Sequence, residues 1–267
     1  MLVDGKKIAD EIIVGLKNIQ APQKIFAAVL VGDDQASQSF LKKKEETAKE
    51  LGVDFRIYKF DKEIKNDKLR ESVRKLANQK SIGGVIIQLP LPEHLNRHYI
   101  LNAIPRGKDV DVLGERALGA FYVGRNPILP PAAGVIEEIL RRIGFELETA
   151  KAAVIGRGLL VGKPISIWFG DKVAELSVFN SQTKDLKARL KDFDIIVSGV
   201  GKKHLFSVED VKEKSLVIDF GYDFKDGKIF GDFNSEGADS ISYTPTPKGT
   251  GPVLVAKLFE NFYNLNK

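Results

Sequence analysis

Short apolar runs rich in valine and isoleucine alternate along the chain with longer segments of amphipathic, helix-like period. The first series of runs predicts strands at residues 25–31, 53–60 and 83–89, and between them helices beginning near Gln35 and Asn66. The second series predicts strands at residues 152–155, 175–179, 194–199 and 215–221. Alternation of this kind is typical of βαβ units, and strands that are apolar almost throughout lie in a parallel sheet covered on both faces. The pattern therefore predicts an α/β fold.

Turn-forming residues concentrate between the two series, over residues 105–133, where no helical or strand period persists. We expect the domain junction there, with a helix over residues 134–144 leading into the second series. Another helix is expected over residues 252–265, and it should pack back on the first domain. The predicted domains are residues 1–130 together with 250–267, and residues 131–249.

Composition narrows the classes of function. The 267 residues include no cysteine, which removes thiolate nucleophiles and Cys-ligated metal centres and is compatible with a reducing cytosol. The N-terminal segment lacks the apolar core of a signal peptide, and no segment approaches the ~20 apolar residues of a membrane span. We therefore expect a cytoplasmic protein without a membrane partner.

The net charge does not by itself indicate a nucleic-acid partner. Lysine and arginine total 41 and aspartate and glutamate 36, which gives a formal charge of +5. The basic residues are spread along the chain in runs of mixed sign, as on solvated helix faces, whereas nucleic-acid binders concentrate them on one face. We expect no nucleic-acid binding.

A glycine-rich turn follows the first strand of the second series. Gly156, Gly158 and Gly162 stand where the backbone can approach a pyrophosphate, whose charge the next helix N-terminus would stabilise. The spacing is one residue longer than the standard dinucleotide fingerprint. A tight turn without a ligand is therefore the alternative.

The residues after the next strand bear on the choice of cofactor. NAD enzymes usually carry an acidic residue there, which binds the ribose 2′-OH. Here Asn180, Ser181, Gln182 and Thr183 are neutral, and Arg157 in the glycine loop offers a guanidinium suited to a phosphate. The pattern favours NADP over NAD, unless Arg157 is only an exposed loop cation.

Three consecutive lysines occupy the helix that begins near Gln35, and the helical period separates them. Lys44 falls within an apolar stripe formed by Phe40, Leu41, Ala48 and Leu51. Lys42 and Lys43 point elsewhere. Desolvation would lower the pKa of Lys44 and supply a neutral amine as a base or proton relay. The commoner alternative is a lysine that extends its ammonium group to water.

Two aspartates and two histidines complete the candidates. An extended backbone over residues 108–112 would place Asp109 and Asp111 on one side, where paired carboxylates could bind a metal or an amine; a capped turn is the equal alternative. His94 and His98 have a spacing that puts both on one helix face, but no convincing third ligand follows. We expect surface histidines and no metal site.

Seven segments of the chain occur in the order seen in the bifunctional methylenetetrahydrofolate dehydrogenase/cyclohydrolase family: VDGKKIA, LVGDDQASQSFLKKK, GVIIQLPLP, KDVDV, GRGLLVGKP, VIDFG and PTPKGTGP. The chain resembles that family over nearly its whole length. The resemblance implies two α/β domains with a folate-binding cleft between them, the second domain being Rossmann-like and NADP-binding, and usually a homodimer. It implies NADP-dependent oxidation of 5,10-methylenetetrahydrofolate and hydrolysis of the methenyl product to 10-formyltetrahydrofolate.

The resemblance also implies roles for individual residues around the folate. Phe40 and Lys44 fall on the family's Tyr-x-x-x-Lys motif, whose lysine is catalytic. Gln88 is expected to hold this lysine in its working protonation state, and Asp111 to accept hydrogen bonds from the pterin ring. The expected contacts further along the chain are Gly249 and Pro252.

On the cofactor side, the resemblance implies contacts from Gly156, Arg157, Gly158, Ser181, Thr183 and Tyr222. Some positions depart from the family pattern: Phe40 replaces a tyrosine, Gln182 a lysine near the 2′-phosphate, and Lys248 a glycine. The alternatives are a homologue that retains one of the two activities, an NADP-binding protein without folate chemistry, and a shikimate-dehydrogenase-like oxidoreductase.

Overall fold

The computed structural model describes residues 1–267, which form two compact units. The three-stranded unit comprises residues 11–131 and 255–267, and the five-stranded unit comprises residues 1–10 and 132–254. The domain bounds expected from the sequence, near residues 130 and 250, stay a prediction, as does the cleft between the domains. No helix combines the length and the apolar character needed to cross a bilayer.

The three-stranded unit alternates strands and helices. After α1 (Gly5–Lys17), its elements are β1 (Ile25–Val31), α2 (Gln35–Leu51), β2 (Phe55–Phe60), α3 (Asn66–Asn78), β3 (Ile82–Ile87), α4 (Arg97–Leu101) and α5 (Glu115–Tyr122). The strands pair in parallel in the order β2-β1-β3, with Val29 opposite Tyr58 on one side and Ile87 on the other. Helices α2 and α3 begin at the predicted residues.

The five-stranded unit follows the same rhythm. Its elements are α6 (Pro131–Ile143), β4 (Lys151–Ile155), α7 (Gly162–Phe169), β5 (Glu175–Phe179), α8 (Leu186–Leu190), β6 (Ile195–Ser198), β7 (Phe206–Ser207), β8 (Leu216–Asp219), β9 (Asp223–Lys225), β10 (Lys228–Phe230), β11 (Phe233–Asn234) and β12 (Ser242–Tyr243). The last helix, α9 (Thr250–Asn264), begins in this unit, and its residues from 255 onward belong to the three-stranded unit. The main sheet is parallel, in the order β12-β8-β6-β4-β5. Together the two sheets confirm the predicted α/β fold with a mostly parallel sheet.

The strand order of the larger sheet reverses at β4, which lies between β5 and β6. From β4 the chain first connects to β5 on one side of it, and the next connection crosses back to β6 on the other side. Open α/β sheets bind ligands outside the carboxyl ends of the strands at such a reversal. The glycine loop at 156–162 follows β4 directly, so the topology places it at this point.

Helix α9 packs back on the three-stranded sheet, as predicted. Phe262 stacks on Phe26 of β1 with ring centroids 4.7 Å apart, and Phe259 meets the same ring edge-on at 5.4 Å. All three rings are fully buried. Aromatic contacts of this kind add to the burial of large apolar area, so the C-terminal helix is part of this core.

Residues 105–133, where the sequence shows no persistent helical period, nevertheless contain a short helix. Helix α5 lies within this segment and buries Ala117, Ala120 and Phe121 on one face. Two turns are too short for the helical period to stand out among the surrounding turn formers. Helix α6 also begins earlier than predicted, at Pro131, because proline is tolerated in a first helical turn.

Candidate active site

Lys44 lies on the inner face of α2. The Asp34 carboxylate caps the start of this helix by accepting the Ser37 N–H at 2.7 Å, which satisfies one of the free N–H groups of the first turn. The residues buried on the helix are Ser37, Leu41, Ala48 and Leu51. Lys44 is half-buried beside them, whereas Lys42 and Lys43 are exposed.

The Lys44 amine is held by the side chain that the resemblance pairs with it. Lys44 Nζ donates a hydrogen bond of 2.9 Å to Gln88 Oε1. Gln88 extends β3, and its backbone N–H donates to Val29 O at 2.9 Å. Its side-chain nitrogen donates to Leu89 O at 2.8 Å, so the amide oxygen faces the lysine. Lys44 therefore meets a fixed acceptor instead of extending into water.

Burial shifts the pKa values of Lys44 and Asp111 in opposite directions. Desolvation lowers the pKa of Lys44, and the nearby negative charge of Asp111 opposes this effect. Desolvation raises the pKa of Asp111, and Lys44 opposes it in turn. An amine whose charged form is disfavoured can take up and release a proton in a catalytic cycle. Phe40, one helical turn before Lys44, keeps 37% of its surface exposed.

Asp109 and Asp111 are not paired as an extended backbone would pair them. Residues 106–108 form a short 3-10 turn, and the Asp109 carboxylate accepts the N–H groups of Leu113 at 3.0 Å and Gly114 at 2.7 Å. Asp109 is 2% exposed, and burial raises its pKa to about 6. Of the two alternatives that the sequence left open, the capped turn is the one that describes Asp109. No group of three or more His, Cys, Asp or Glu side chains is placed to hold a metal.

In the glycine loop of the five-stranded unit, Gly156 and Gly162 allow close packing of the backbone, and Gly158 leaves the backbone open. Gly156 has φ of +103°, and a Cβ there would lie 3.1 Å from Gly199 O at the end of β6. A Cβ at Gly162 would lie 2.0 Å from Gly156 O, so α7 begins in direct contact with the loop backbone. A Cβ at Gly158 would meet nothing within 4 Å, which leaves that backbone open for a ligand's approach. The loop and helix therefore fit a pyrophosphate.

The remaining cofactor-side residues follow other strands of the same sheet. Ser181 follows β5 and is exposed, whereas Thr183 Oγ1 accepts the Asn180 N–H at 3.0 Å and closes the local turn. Tyr222 follows β8 and is 40% exposed. Arg157 is exposed in the glycine loop, with one long contact of 3.4 Å to Val178 O. The parallel sheet thus brings these residues to its carboxyl edge.

The two expected folate contacts near the end of the chain differ in exposure. Gly249 is buried, and Pro252 is half-buried in the first turn of α9. Both belong to the five-stranded unit. Lys44 and Asp111 belong to the three-stranded unit. A folate site shared by all four residues would need both domains to contact the substrate, and this stays a prediction.

Two buried aspartates of the five-stranded unit were not identified from the sequence as important. Asp232 is fully buried and accepts hydrogen bonds from Ser198 Oγ at 2.6 Å, Val200 N at 2.8 Å and Lys202 N at 2.7 Å. Asp219 accepts Gly221 N at 2.6 Å and Phe233 N at 3.0 Å. Together they hold the loops after β6 and β8. The available signal was an aspartate that ends the apolar run SLVID.

Comparison with known families settles which proteins share this arrangement. Residues 3–111 match the catalytic domain of the tetrahydrofolate dehydrogenase/cyclohydrolase family, and residues 130–267 match its NAD(P)-binding domain. The chain belongs to the tetrahydrofolate dehydrogenase/cyclohydrolase family. Membership confirms the resemblance noted in the sequence and the predicted enzyme activity, methylenetetrahydrofolate dehydrogenase and cyclohydrolase.

Individual members of the family match over their whole length. The bifunctional protein FolD of Halothermothrix orenii is 36% identical and covers 100% of this chain and 98% of its own. The crystal structure of the FolD enzyme of Campylobacter jejuni is 30% identical, with a TM-score of 0.94 over 100% of this chain and 98% of its own. The Trypanosoma brucei enzyme, described as complexed with NADP cofactor and inhibitor, is 25% identical, with a TM-score of 0.93 over 99% of this chain and 96% of its own.

Proposed function

We propose that this enzyme carries out both steps of the family, NADP-dependent oxidation of 5,10-methylenetetrahydrofolate and hydrolysis of the methenyl product to 10-formyltetrahydrofolate, at a site that includes Lys44, Gln88 and Asp111. The observation that carries the proposal is the 2.9 Å hydrogen bond from Lys44 Nζ to Gln88 Oε1, with Asp111 near enough to affect the lysine's pKa. Membership of the family supports the two reactions.

In the oxidation step, the chain's contribution is positioning. When bound, NADP⁺ supplies the acceptor for the hydride that leaves the methylene carbon. The open backbone at Gly158 and the start of α7 would receive its pyrophosphate, and Arg157 and Ser181 would face the 2′-phosphate. Asp111 would accept hydrogen bonds from the pterin and so set the depth of the substrate. Holding two reactants in a fixed geometry accounts for a large share of such rate increases.

In the hydrolytic step, Lys44 handles protons. Water adds to the methenyl carbon, and the neutral Lys44 amine accepts one proton from it as the C–O bond forms. The bond from this carbon to N5 then breaks, N5 receives the second water proton, and the formyl group remains on N10. Lys44 returns its proton to solvent, so one proton is released overall. Gln88 keeps the amine in place while its charge changes.

We further propose that the cofactor is NADP rather than NAD. Neutral residues follow β5, where an acidic side chain would favour NAD, and Arg157 lies in the glycine loop. The complex of the Trypanosoma brucei relative with NADP supports this choice.

We also propose that the enzyme is a cytoplasmic homodimer. The absence of cysteine from all 267 residues is compatible with a reducing compartment, and the family resemblance supports the dimer. Light scattering coupled to size-exclusion chromatography would measure the mass, and a monomer at micromolar concentration would contradict the dimer.

An absorbance assay tests the proposed function directly. Purified protein is mixed with 5,10-methylenetetrahydrofolate and either NADP⁺ or NAD⁺, and formation and decay of the methenyl product are followed. We expect faster formation with NADP⁺ and enzyme-accelerated decay. Formation without accelerated decay would leave a dehydrogenase alone. Acceleration of neither step with either cofactor would overturn the assignment.

A further inference from the structure

The turn that carries Asp111 is fastened at each of the preceding residues. Lys108 Nζ donates to Ala77 O at 2.7 Å and Gln79 O at 2.8 Å, where α3 ends. Neither carbonyl has a partner within the helix, and Gln79 O also accepts the Ile82 N–H at 3.2 Å, so the ammonium joins the helix end to the start of β3 and is itself held in place. The Asp109 backbone forms a bridge to Val85 of β3, and its carboxylate caps the following turn.

Val110, directly before Asp111, is held both by its side chain and by its backbone carbonyl. Its side chain is fully buried, and a Cβ at Gly84 would lie 2.5 Å from Val110 Cγ2, so only a glycine in β3 leaves room for it. The Val110 carbonyl accepts a hydrogen bond of 3.0 Å from Asn261 Nδ2. The same nitrogen donates to Leu129 O at 2.8 Å.

Asn261 is suited to this task by its chemistry. It lies on α9, 151 positions from Val110, and only 5% of its surface is exposed. Its amide nitrogen carries two hydrogens, one for each carbonyl, whereas an aspartate or a leucine of similar shape carries none. Loss of the amide would leave two shielded carbonyls without a donor, and the turn would move to reach water.

We propose that Asn261 is a positioning residue for the folate reactions, holding the Val110 carbonyl so that the adjacent Asp111 stays in register with the pterin ring and with Lys44. The inference rests on the proposed role of Asp111. Asn261 does not touch the reacting atoms; it acts through the backbone between Val110 and Asp111. Lys108 and Asp109 set the overall shape of the turn, and Asn261 fixes the residue next to the carboxylate.

The first experiment compares Asn261→Ala with Asn264→Ala, since Asn264 lies on the same helix but is exposed. For Asn261→Ala we expect KM for 5,10-methylenetetrahydrofolate to rise about tenfold, while Kd for NADP changes less than twofold. Asn264→Ala should leave both constants within twofold. An unchanged folate KM in folded Asn261→Ala would overturn the proposal.

A double-mutant cycle separates positioning from general destabilisation. In an Asp111→Asn background, Asn261→Ala should add no further rise in folate KM, because the group it positions has already been altered. A full, multiplicative rise in that background would show that Asn261 acts by another route. If Asp111→Asn alone leaves KM unchanged, the proposed role of Asp111 fails instead.

A second variant keeps the test decisive if Asn261→Ala does not fold. Asn261→Gln retains both donor hydrogens on an arm one methylene longer, so the protein should fold with the carbonyl displaced rather than unpaired. We expect an intermediate rise in folate KM, about threefold, again absent in the Asp111→Asn background. Wild-type KM values for Asn261→Gln would exclude precise positioning of Asp111 by this side chain.

Discussion

Gly5 lies directly against the carbonyl group of Gly249. A Cβ at Gly5 would lie 1.8 Å from Gly249 O and 2.4 Å from its carbonyl carbon. The segment before Gly5 is tied to the same region, since Leu2 bridges Tyr243 and Val3 N donates to Tyr243 O at 2.8 Å. The beginning of the chain thus supports the loop that carries an expected folate contact.

Gly5→Ala should therefore displace the Gly249 loop. We expect a loss of about 1–3 kcal/mol in the free energy of unfolding, because a methyl group is forced against a backbone carbonyl. We also expect a higher KM for the folate substrate. Urea unfolding and steady-state kinetics measure the two effects.

The matched control is Gly15→Ala, also in α1. A Cβ at Gly15 would meet nothing within 4 Å, and the residue is exposed. The substitution should raise stability by about 0.5–1 kcal/mol through helix propensity. Equal effects of the two substitutions would show that the Gly5 contact yields without consequence.

Lys44→Met should abolish most of the cyclohydrolase rate, by about 100-fold or more, since general acid–base catalysis contributes on this scale. NADP affinity should stay nearly unchanged. Lys43→Met is the control, because Lys43 is exposed on the same helix and should keep the wild-type rate. An unaltered hydrolysis rate in Lys44→Met would remove Lys44 from the mechanism.

The cyclohydrolase rate should also depend on pH through Lys44. Because burial lowers the pKa of Lys44 from 10.5, the neutral amine forms at lower pH than in an exposed lysine. The rate should rise with pH through this pKa and then level off. The inflection should be absent from the residual activity of Lys44→Met, and its persistence there would assign it to another group.

Asp219 should make the protein less stable as the pH rises from about 4 to about 7. Burial and the charge of Asp232 raise the pKa of Asp219 from 3.8 to about 7, so the folded protein holds this proton more tightly than the unfolded chain. The contribution of Asp219 to the free energy of unfolding is therefore greatest below pH 4. It decreases between pH 4 and about 7, by at most about 4 kcal/mol.

Urea unfolding between pH 4 and 8 measures this dependence. Asp219→Asn should remove most of the decrease, although its absolute stability will also change because the carboxylate accepts two backbone N–H groups. Asp171→Asn, which removes a charge from an exposed loop, should keep the wild-type dependence. The same decrease in Asp219→Asn would mean that another group is responsible.

Gln182→Lys should strengthen the preference for NADP over NAD. Gln182 follows β5 and is exposed, with its backbone N–H donating to Asn180 Oδ1 at 3.0 Å. An added ammonium near a 2′-phosphate should lower Kd for NADP several-fold, and less so at high salt, while Kd for NAD stays constant. A parallel change in both constants would place the 2′-phosphate elsewhere.

The local chemistry of the site was largely predictable from the sequence. The stripe on α2 identified Lys44 because the helical period is a local property, and the structure places Leu41, Ala48 and Leu51 in the core as expected. Strand β4 and the glycines that follow it were predictable for the same reason. The 37% exposure of Phe40 was not predictable in this way. The burial of a residue at the edge of an apolar stripe depends on which residues pack against it in the folded protein.

The sequence alone determined the fold class, the starts of α2 and α3 and the identity of the chemically useful side chains, because these follow from interactions between residues a few positions apart. Only the tertiary structure decided which carboxylate of the KDVD segment caps a turn and which interacts with Lys44. The same holds for Asn261 and Gly5, whose partners lie 151 and 244 positions away. Such partners are chosen by packing of the whole core, and no pattern within one segment contains that information.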